Sequence, residues 1–344
     1  MSKVNLDWEN LGFTYIETDY RYQCIYKDGQ WQEGGLISEA NFLINESAAV
    51  LQYAQTIFEG LKAYRTENGE VVTFRTDLNA QRFVESAKRL EMPPISVEHF
   101  LEGVEQTVAA NVDYVPPYGS GAALYVRPYM FGSNPLIGLA PATEYQFRVF
   151  TTPVGPFFKG GVKPISLRVS GFDRAAPRGT GHIKAGLNYA MGLHPTMVAR
   201  RGGFADNMFL DSATRTKVEE SCGANFLFVT KDRKLVTPSS PTILPSVTRR
   251  SLQYVSKEIL GIEIEEREVY FDEVSDFVEC GLCGTAAVIA PVGKITDVDT
   301  GSEILFPSGM EEMGEVLRKL YDTLLGIQQG RIEAPKGWIR KIEV

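Results

Sequence analysis

The chain has 344 residues, 44% of them hydrophobic and 23% charged, a balance that excludes disordered and fibrous classes and a length beyond what one core usually fills. Its 35 Lys and Arg against 43 Asp and Glu leave a net charge of −8 with no run of like charges, so no basic face exists to grip nucleic acid. No stretch approaches the roughly 20 apolar residues of a membrane span, and the start MSKVNLDWEN lacks the basic and apolar regions of a leader, which makes a cytoplasmic protein the expectation.

From the N-terminus, YRYQCIYKDGQW sets Asp28-Gly29 between two β-rich runs and predicts a hairpin; Asn68-Gly69 predicts a second. Thr76 is the expected N-cap of a helix in which Leu78, Phe83, Val84, Ala87 and Leu90 recur at helical spacing. Phe100, Leu101, Val104 and Val108 mark another, and AALYVRPYMF and EYQFRVFTTPV read as strands. The Gly- and Pro-rich stretch from Pro156 to Pro164 then predicts a linker. The expected division is an N-terminal α/β domain at 1–157, a linker at 158–165 and a larger C-terminal domain at 166–344.

The second half opens with the strand ISLRVSG, a polar loop DRAAPRGTGHIKAG and a helix carrying Met197 and Val198. Short strands are expected in NMFLD, VEESCGANFLFVT and KLVTP, and a helix along Val247, Leu252, Val255 and Ile259. IEIEEREV alternates like a half-solvated strand, CGTAAVIAPV runs apolar like a buried one, and Met310 to Leu325 is the expected closing helix.

Four cysteines (Cys24, Cys222, Cys280, Cys283) are too few for a disulfide framework. Cys280 and Cys283 form one C-x-x-C, but His99, His182 and His194 lie far off in sequence, so no metal site is expected. The motif runs into a strand-like segment where a redox pair should open a helix. Buried structural thiols are the reading, and a thiol oxidoreductase is its competitor from another class. The loop GTGHIKAG suggests nucleotide binding and fails both tests. The dinucleotide fingerprint needs Gly where Lys184 stands, and a P-loop needs Lys-Ser/Thr where Leu187-Asn188 stands. Neither G-x-S-x-G nor H-E-x-x-H occurs.

Lys184 itself sits among Gly179, Gly181, Ala185 and Gly186, small residues that let a cofactor approach the backbone, with Tyr189 close behind. Alone it would be a solvated loop charge. Downstream, however, Glu220, Asn225, Leu235, Thr237, Leu244, Ser246, Val247 and Arg249 fall at the spacings E-x-small-x-x-N…L-x-T…L-x-[GS]-V-x-R, starting 36 residues after the lysine. With FEGLKAYR (58–65), NAQRFVESAKRL (79–90), LYVRP (124–128), PVGPFFKGG (153–161), DRAAPRGTG (173–181) and CGTAAVIAPV (283–292), the chain resembles the branched-chain-amino-acid aminotransferases of class IV. The likeness runs from LDWENLGF to APKGWI.

The resemblance implies a two-domain α/β (α+β) class IV aminotransferase fold, fold type IV of the pyridoxal-phosphate enzymes, with the cofactor lysine in the C-terminal domain. It implies reversible amino transfer between leucine, isoleucine or valine and 2-oxoglutarate. Pyridoxal 5′-phosphate would be held by Lys184 as a Schiff base, with Glu220 on the ring nitrogen and Tyr189 on the ring hydroxyl. Arg82, Thr285 and the backbone N–H groups of Val247 and Thr248 would take the phosphate. Released by substrate, Lys184 would shuttle the Cα proton. The substrate α-carboxylate would lie on the backbone of Thr285 and Ala286, while Tyr53, Phe58, Tyr125 and Phe157 shape the side-chain pocket. Arg127, two residues from Tyr125 and so on the same strand face, would receive the distal carboxylate of glutamate. Amino acids and 2-oxo acids are the implied small-molecule partners, and a homodimer whose pocket the partner's loop completes is the implied assembly.

Taken singly, Arg82 would be a helix surface charge, Glu220 an edge-strand carboxylate, and Tyr125, Phe157 and Phe58 core; their joint spacing favours the site. Within the same fold, a D-amino-acid aminotransferase or aminodeoxychorismate lyase is the second reading. Four positions depart from the common pattern: Gln52-Tyr53-Ala54 for H-Y-G, Leu187 for the second Gly after the lysine, Leu227 for an aromatic residue, and Phe157 for Tyr. Leu187 and Phe157 are expected near the pocket, where they would shift substrate range.

Overall fold

The structure is a computed structural model and describes Val4, residues 6–156, Phe158 and residues 161–344. The chain forms two compact units, one of Met1–Phe157, Ile183–Leu187 and Gly326–Val344, the other of Phe158–His182 and Asn188–Leu325. Lys184 therefore groups with the N-terminal unit, where the linear reading assigned it to the C-terminal domain. The reason is local backbone pairing. Phe58 N–H donates to the Lys184 carbonyl at 3.0 Å, Ala185 bridges Ile57, and Ile183 and Ala185 are buried in the N-terminal core.

The N-terminal unit is built on a nine-stranded antiparallel sheet. Its order is Ile339–Ile342, Val71–Phe74, Leu61–Arg65, Ala123–Gly132, Tyr145–Val154, Arg21–Lys27, Gln30–Trp31, with Gly35–Ile37 on Arg21–Lys27 and Thr56–Phe58 on Ala123–Gly132. Asp28 and Gly29 turn the first hairpin with φ of 54° and 82°, the left-handed pair that a two-residue turn requires. Helices Thr76–Arg89 and Val97–Ala110 bury Leu78, Phe83 and Ala87 from one and Phe100, Leu101, Val104 and Val108 from the other. Phe83, Phe100 and Phe147 meet there at ring separations of 5.2 to 5.8 Å. The second helix is capped by Ser96, which accepts the His99 N–H. Thr76 does not cap the first. It is already helical behind Arg75, and its hydroxyl turns to Thr73 Oγ1 at 2.8 Å.

The C-terminal unit holds an eight-stranded mixed sheet in the order Asp206–Met208, Ile165–Val169, Val288–Asp297, Glu279–Gly284, Asn225–Val229, Leu235–Pro238, Ile264–Arg267, with Ser302–Leu305 on Val288–Asp297. Here CGTAAVIAPV is not one strand: Glu279–Gly284 and Val288–Asp297 run antiparallel around a turn at Thr285, Ala286 and Ala287. The closing helix starts at Glu315 rather than Met310, where the buried Glu279 carboxylate accepts the N–H groups of Val316 (3.0 Å) and Leu317 (2.9 Å) and satisfies its first turn. Among the described residues no helix is long and apolar enough to cross a membrane.

Candidate active site

In the N-terminal unit the main chain of Lys184 is held from both sides. Its N–H donates to Ser86 Oγ at 3.1 Å, and its carbonyl accepts from Phe58. The Lys184 Nζ lies 4.9 Å from the Phe58 ring centroid, and the Arg127 guanidinium carbon lies 4.9 Å from the same centroid. One aromatic ring thus joins the proposed reactive amine to the proposed carboxylate receptor, and both contacts are of cation–π type. Arg127 also donates to the Tyr125 hydroxyl at 3.1 Å, as expected for residues two apart on one strand face, while its Nε is buried without a hydrogen-bond partner among the described residues. Gly60 makes room for that tyrosine: a Cβ there would stand 2.0 Å from the Tyr125 hydroxyl. Lys62 sits directly across from Tyr125 in the strand register, and burial pulls its ammonium down to about 8.

Arg82 has a more committed partner than the sequence suggested. Its Nε and Nη2 each reach one oxygen of the fully buried Glu59 at 2.7 Å, and Asn79 donates to the same carboxylate at 2.7 Å. The fork fixes the guanidinium plane and balances its charge. Tyr53 stands at the end of the helix Ala49–Tyr53, 41% exposed, with its hydroxyl on the Ile137 carbonyl. It lines a cavity of about 280 Å³ with Gln55, Leu139 and Leu187. Leu187 also packs against the core, which accounts for a large apolar residue where glycine is common. Phe157 lies outside the described residues.

In the C-terminal unit Glu220 is 3% exposed and held on three sides. Its Oε1 accepts the Leu244 N–H at 3.0 Å and pairs with Arg174 Nη2 at 2.9 Å, and its Oε2 accepts from Asn225. Burial pushes its carboxyl up to about 7, although Arg174, the Leu244 N–H and Arg249 pull the other way. Val247 and Thr248 open the helix Val247–Tyr254, where Ser246 caps by accepting the Arg249 N–H at 3.2 Å. Thr285 and Ala286 occupy the turn between two buried strands, and the next strand begins at Val288 with φ of 61°. That is a strained conformation for a β-branched residue, of the kind that clusters at functional turns. Tyr189 lies half-buried in the first turn of the helix Gly186–Arg201.

Each unit therefore gathers its own share. Lys184, Phe58, Tyr125 and Arg127 come together in one, and Glu220, Val247, Thr248, Thr285 and Ala286 belong to the other. A buried, oriented carboxylate suits a ring nitrogen, and a capped helix start beside hydroxyl-bearing residues suits a phosphate, so the residues present fit pyridoxal phosphate. Sequence reasoning missed Glu59 and Arg174, the partners of Arg82 and Glu220, although both lie in the stretches FEGLKAYR and DRAAPRGTG. No cluster of metal-ligating side chains occurs among the described residues. Cys280 and Cys283 are free and buried, and burial raises both thiols, Cys283 to about 12, which suits structural thiols and not a redox pair.

Comparison with known proteins identifies the family. The family model for class IV amino-transferases matches residues 56–295. A branched-chain-amino-acid aminotransferase of Haemophilus influenzae is 49% identical over 98% of this chain and 99% of its own, and one of Helicobacter pylori is 46% identical over 98% of each. A crystal structure of the Escherichia coli branched-chain amino acid aminotransferase matches with a TM-score of 0.79 at 25% identity, over 95% of this chain and 100% of that one. The chain belongs to the class IV aminotransferases, in the branch of the branched-chain-amino-acid aminotransferases.

Proposed function

We propose that the chain exchanges the amino group of leucine, isoleucine or valine with 2-oxoglutarate, using pyridoxal 5′-phosphate carried by Lys184. The observation that carries the reading is the Phe58 ring flanked at 4.9 Å by both Lys184 and Arg127, in a chain 49% identical to a branched-chain-amino-acid aminotransferase. Pyridoxal phosphate, when bound, supplies an electron-withdrawing ring that stabilises the charge left when the substrate Cα loses its proton. The rest falls to this chain's own groups.

Lys184 would hold the cofactor and, as a free amine, would move a proton at the substrate Cα. Ser86 and Phe58 hold its backbone so that the amine works from a fixed base. Glu220 would accept the ring N–H, and Tyr189 would hydrogen-bond the ring hydroxyl oxygen. Arg82, set in plane by Glu59, is the group of its unit that would take the phosphate, and Thr285 with the N–H groups of Val247 and Thr248 are those of the other unit. Thr285 and Ala286 would present backbone to the α-carboxylate, and Phe58, Tyr125 and Tyr53 would give apolar walls. Arg127 supplies the cation that glutamate needs and leucine does not. We also propose a cytoplasmic homodimer.

A substrate panel tests the reading. With 2-oxoglutarate and added cofactor, L-leucine, L-isoleucine and L-valine should each give glutamate, and D-alanine should give none. Turnover of D-alanine without turnover of L-leucine would establish the D-amino-acid reading instead.

A further inference from the structure

Glu220 shares its enclosure with three other charged groups. Glu219, Arg174 and Arg249 are 3%, 5% and 7% exposed, so two carboxylates and two guanidiniums sit buried together. They are not equivalent. Arg249 spends its nitrogens on the Pro238 carbonyl (2.8 Å) and on Glu266 (3.3 Å). Glu219 accepts the hydroxyls of Ser240 and Thr242. Arg174 is the cation that pairs directly with Glu220, at 2.9 Å, and the same nitrogen is tied to the Thr242 carbonyl. Its Nε is buried without a hydrogen-bond partner among the described residues, so an arginine is being held there at a desolvation cost.

We propose that Arg174 is a positioning residue that keeps Glu220 anionic and aimed, and so acts on the reaction through Glu220 without touching the cofactor. The inference rests on the reading of Glu220 as the ring-nitrogen partner. A carboxylate this buried releases its proton only if something opposes desolvation. The groups facing it are the Arg174 and Arg249 guanidiniums, the Leu244 N–H and the Asn225 amide, which favour the anion, and Glu219, which opposes it. The Cys222 and Cys283 thiols nearby are both raised and stay neutral. Deleting Arg174 removes the guanidinium that pairs directly with Glu220 and lets the carboxyl stay protonated to a higher pH than in the parent, although Arg249, the Leu244 N–H and Asn225 remain. A protonated Glu220 cannot hold a ring N–H as an anion.

The test is a thermodynamic cycle on the apoprotein. Urea unfolding is measured from pH 5 to 9 for the parent, Glu220→Gln, Arg174→Met and the double variant. A carboxyl raised on folding contributes stability that is full below its unfolded value and lost as pH rises through its folded one. The parent minus Glu220→Gln difference should therefore fall with pH and level off just above about 7. With Arg174→Met as background it should level off about one pH unit higher or more, whereas Arg174→Lys should restore the parental curve. A merely structural arginine would lower stability without moving that level-off point, and an unmoved point overturns the inference. Should the methionine variant not fold, Arg174→Gln enters the same cycle.

Kinetics separate the inference from the reading beneath it. In the holoenzyme, Arg174→Met should push the acidic limb of kcat/KM upward and regain activity as pH is raised. A level-off point that moves while the acidic limb stays put would retain the Arg174–Glu220 coupling and overturn Glu220 as the ring-nitrogen partner.

Discussion

Arg127 stacks near Phe58, donates to Tyr125 and keeps a buried Nε without a protein acceptor among the described residues, which leaves it able to take a carboxylate oxygen. Leucine needs only the apolar walls of the pocket, whereas glutamate brings a second charge that must be paired once water is excluded. Arg127→Leu is expected to raise KM for glutamate and 2-oxoglutarate by roughly 2 to 4 kcal/mol of lost pairing, with little change for leucine. Steady-state kinetics on both substrates check this, and equal losses would make the arginine structural. Lys184 and Glu220 stand out in the sequence as candidates because spacing along the chain marks them. Their supports could not. Ser86, Glu59 and Arg174 reach their partners across the fold, and no periodicity connects an arginine in a polar loop with a carboxylate beside a later strand.

Elements built on clean alternation or helical spacing were legible: the hairpin at Asp28-Gly29, the helices after Thr76 and Val97, and the long strands Ala123–Gly132 and Tyr145–Val154 all follow the apolar pattern. The hairpin around Thr285 was not, because CGTAAVIAPV keeps its one glycine, Gly284, and its one proline, Pro291, outside the turn at Thr285, Ala286 and Ala287, and an apolar run looks the same whether straight or folded back. One departure acquires a meaning only in three dimensions. Ala54, where related chains commonly carry glycine, ends the helix Ala49–Tyr53 with φ of 52°, a left-handed conformation that Cβ disfavours. Ala54→Gly should stabilise the protein by about 1 kcal/mol, the relief of that strain less the extra freedom glycine has when unfolded. Chemical denaturation of the two proteins checks the sign, and a less stable glycine variant would mean the Cβ packs better than its backbone strain costs.

Over the whole molecule, the chain does not divide at one point along its length. The pentapeptide Ile183–Leu187 and the tail Gly326–Val344 join the N-terminal unit through strand and bridge pairing, which a linear search for a linker cannot detect. The isolated chain also leaves Leu43 fully exposed, Ile137 79% exposed and Leu139 88% exposed, large apolar side chains that suit a covered surface. Light scattering should therefore give twice the mass of one chain, and Leu139→Lys should weaken that assembly; a parental protein with the mass of one chain would exclude the dimer.

The central claim, that Lys184 carries the cofactor, is tested most directly by reducing the cofactor-loaded protein with borohydride, which fixes the imine as a stable amine, and then mapping its peptides by mass spectrometry. The modified lysine should be Lys184 alone, at close to one equivalent per chain, and Lys184→Ala should yield an unmodified protein. Labelling of any other lysine in the parent, or undiminished labelling in the alanine variant, would contradict the assignment.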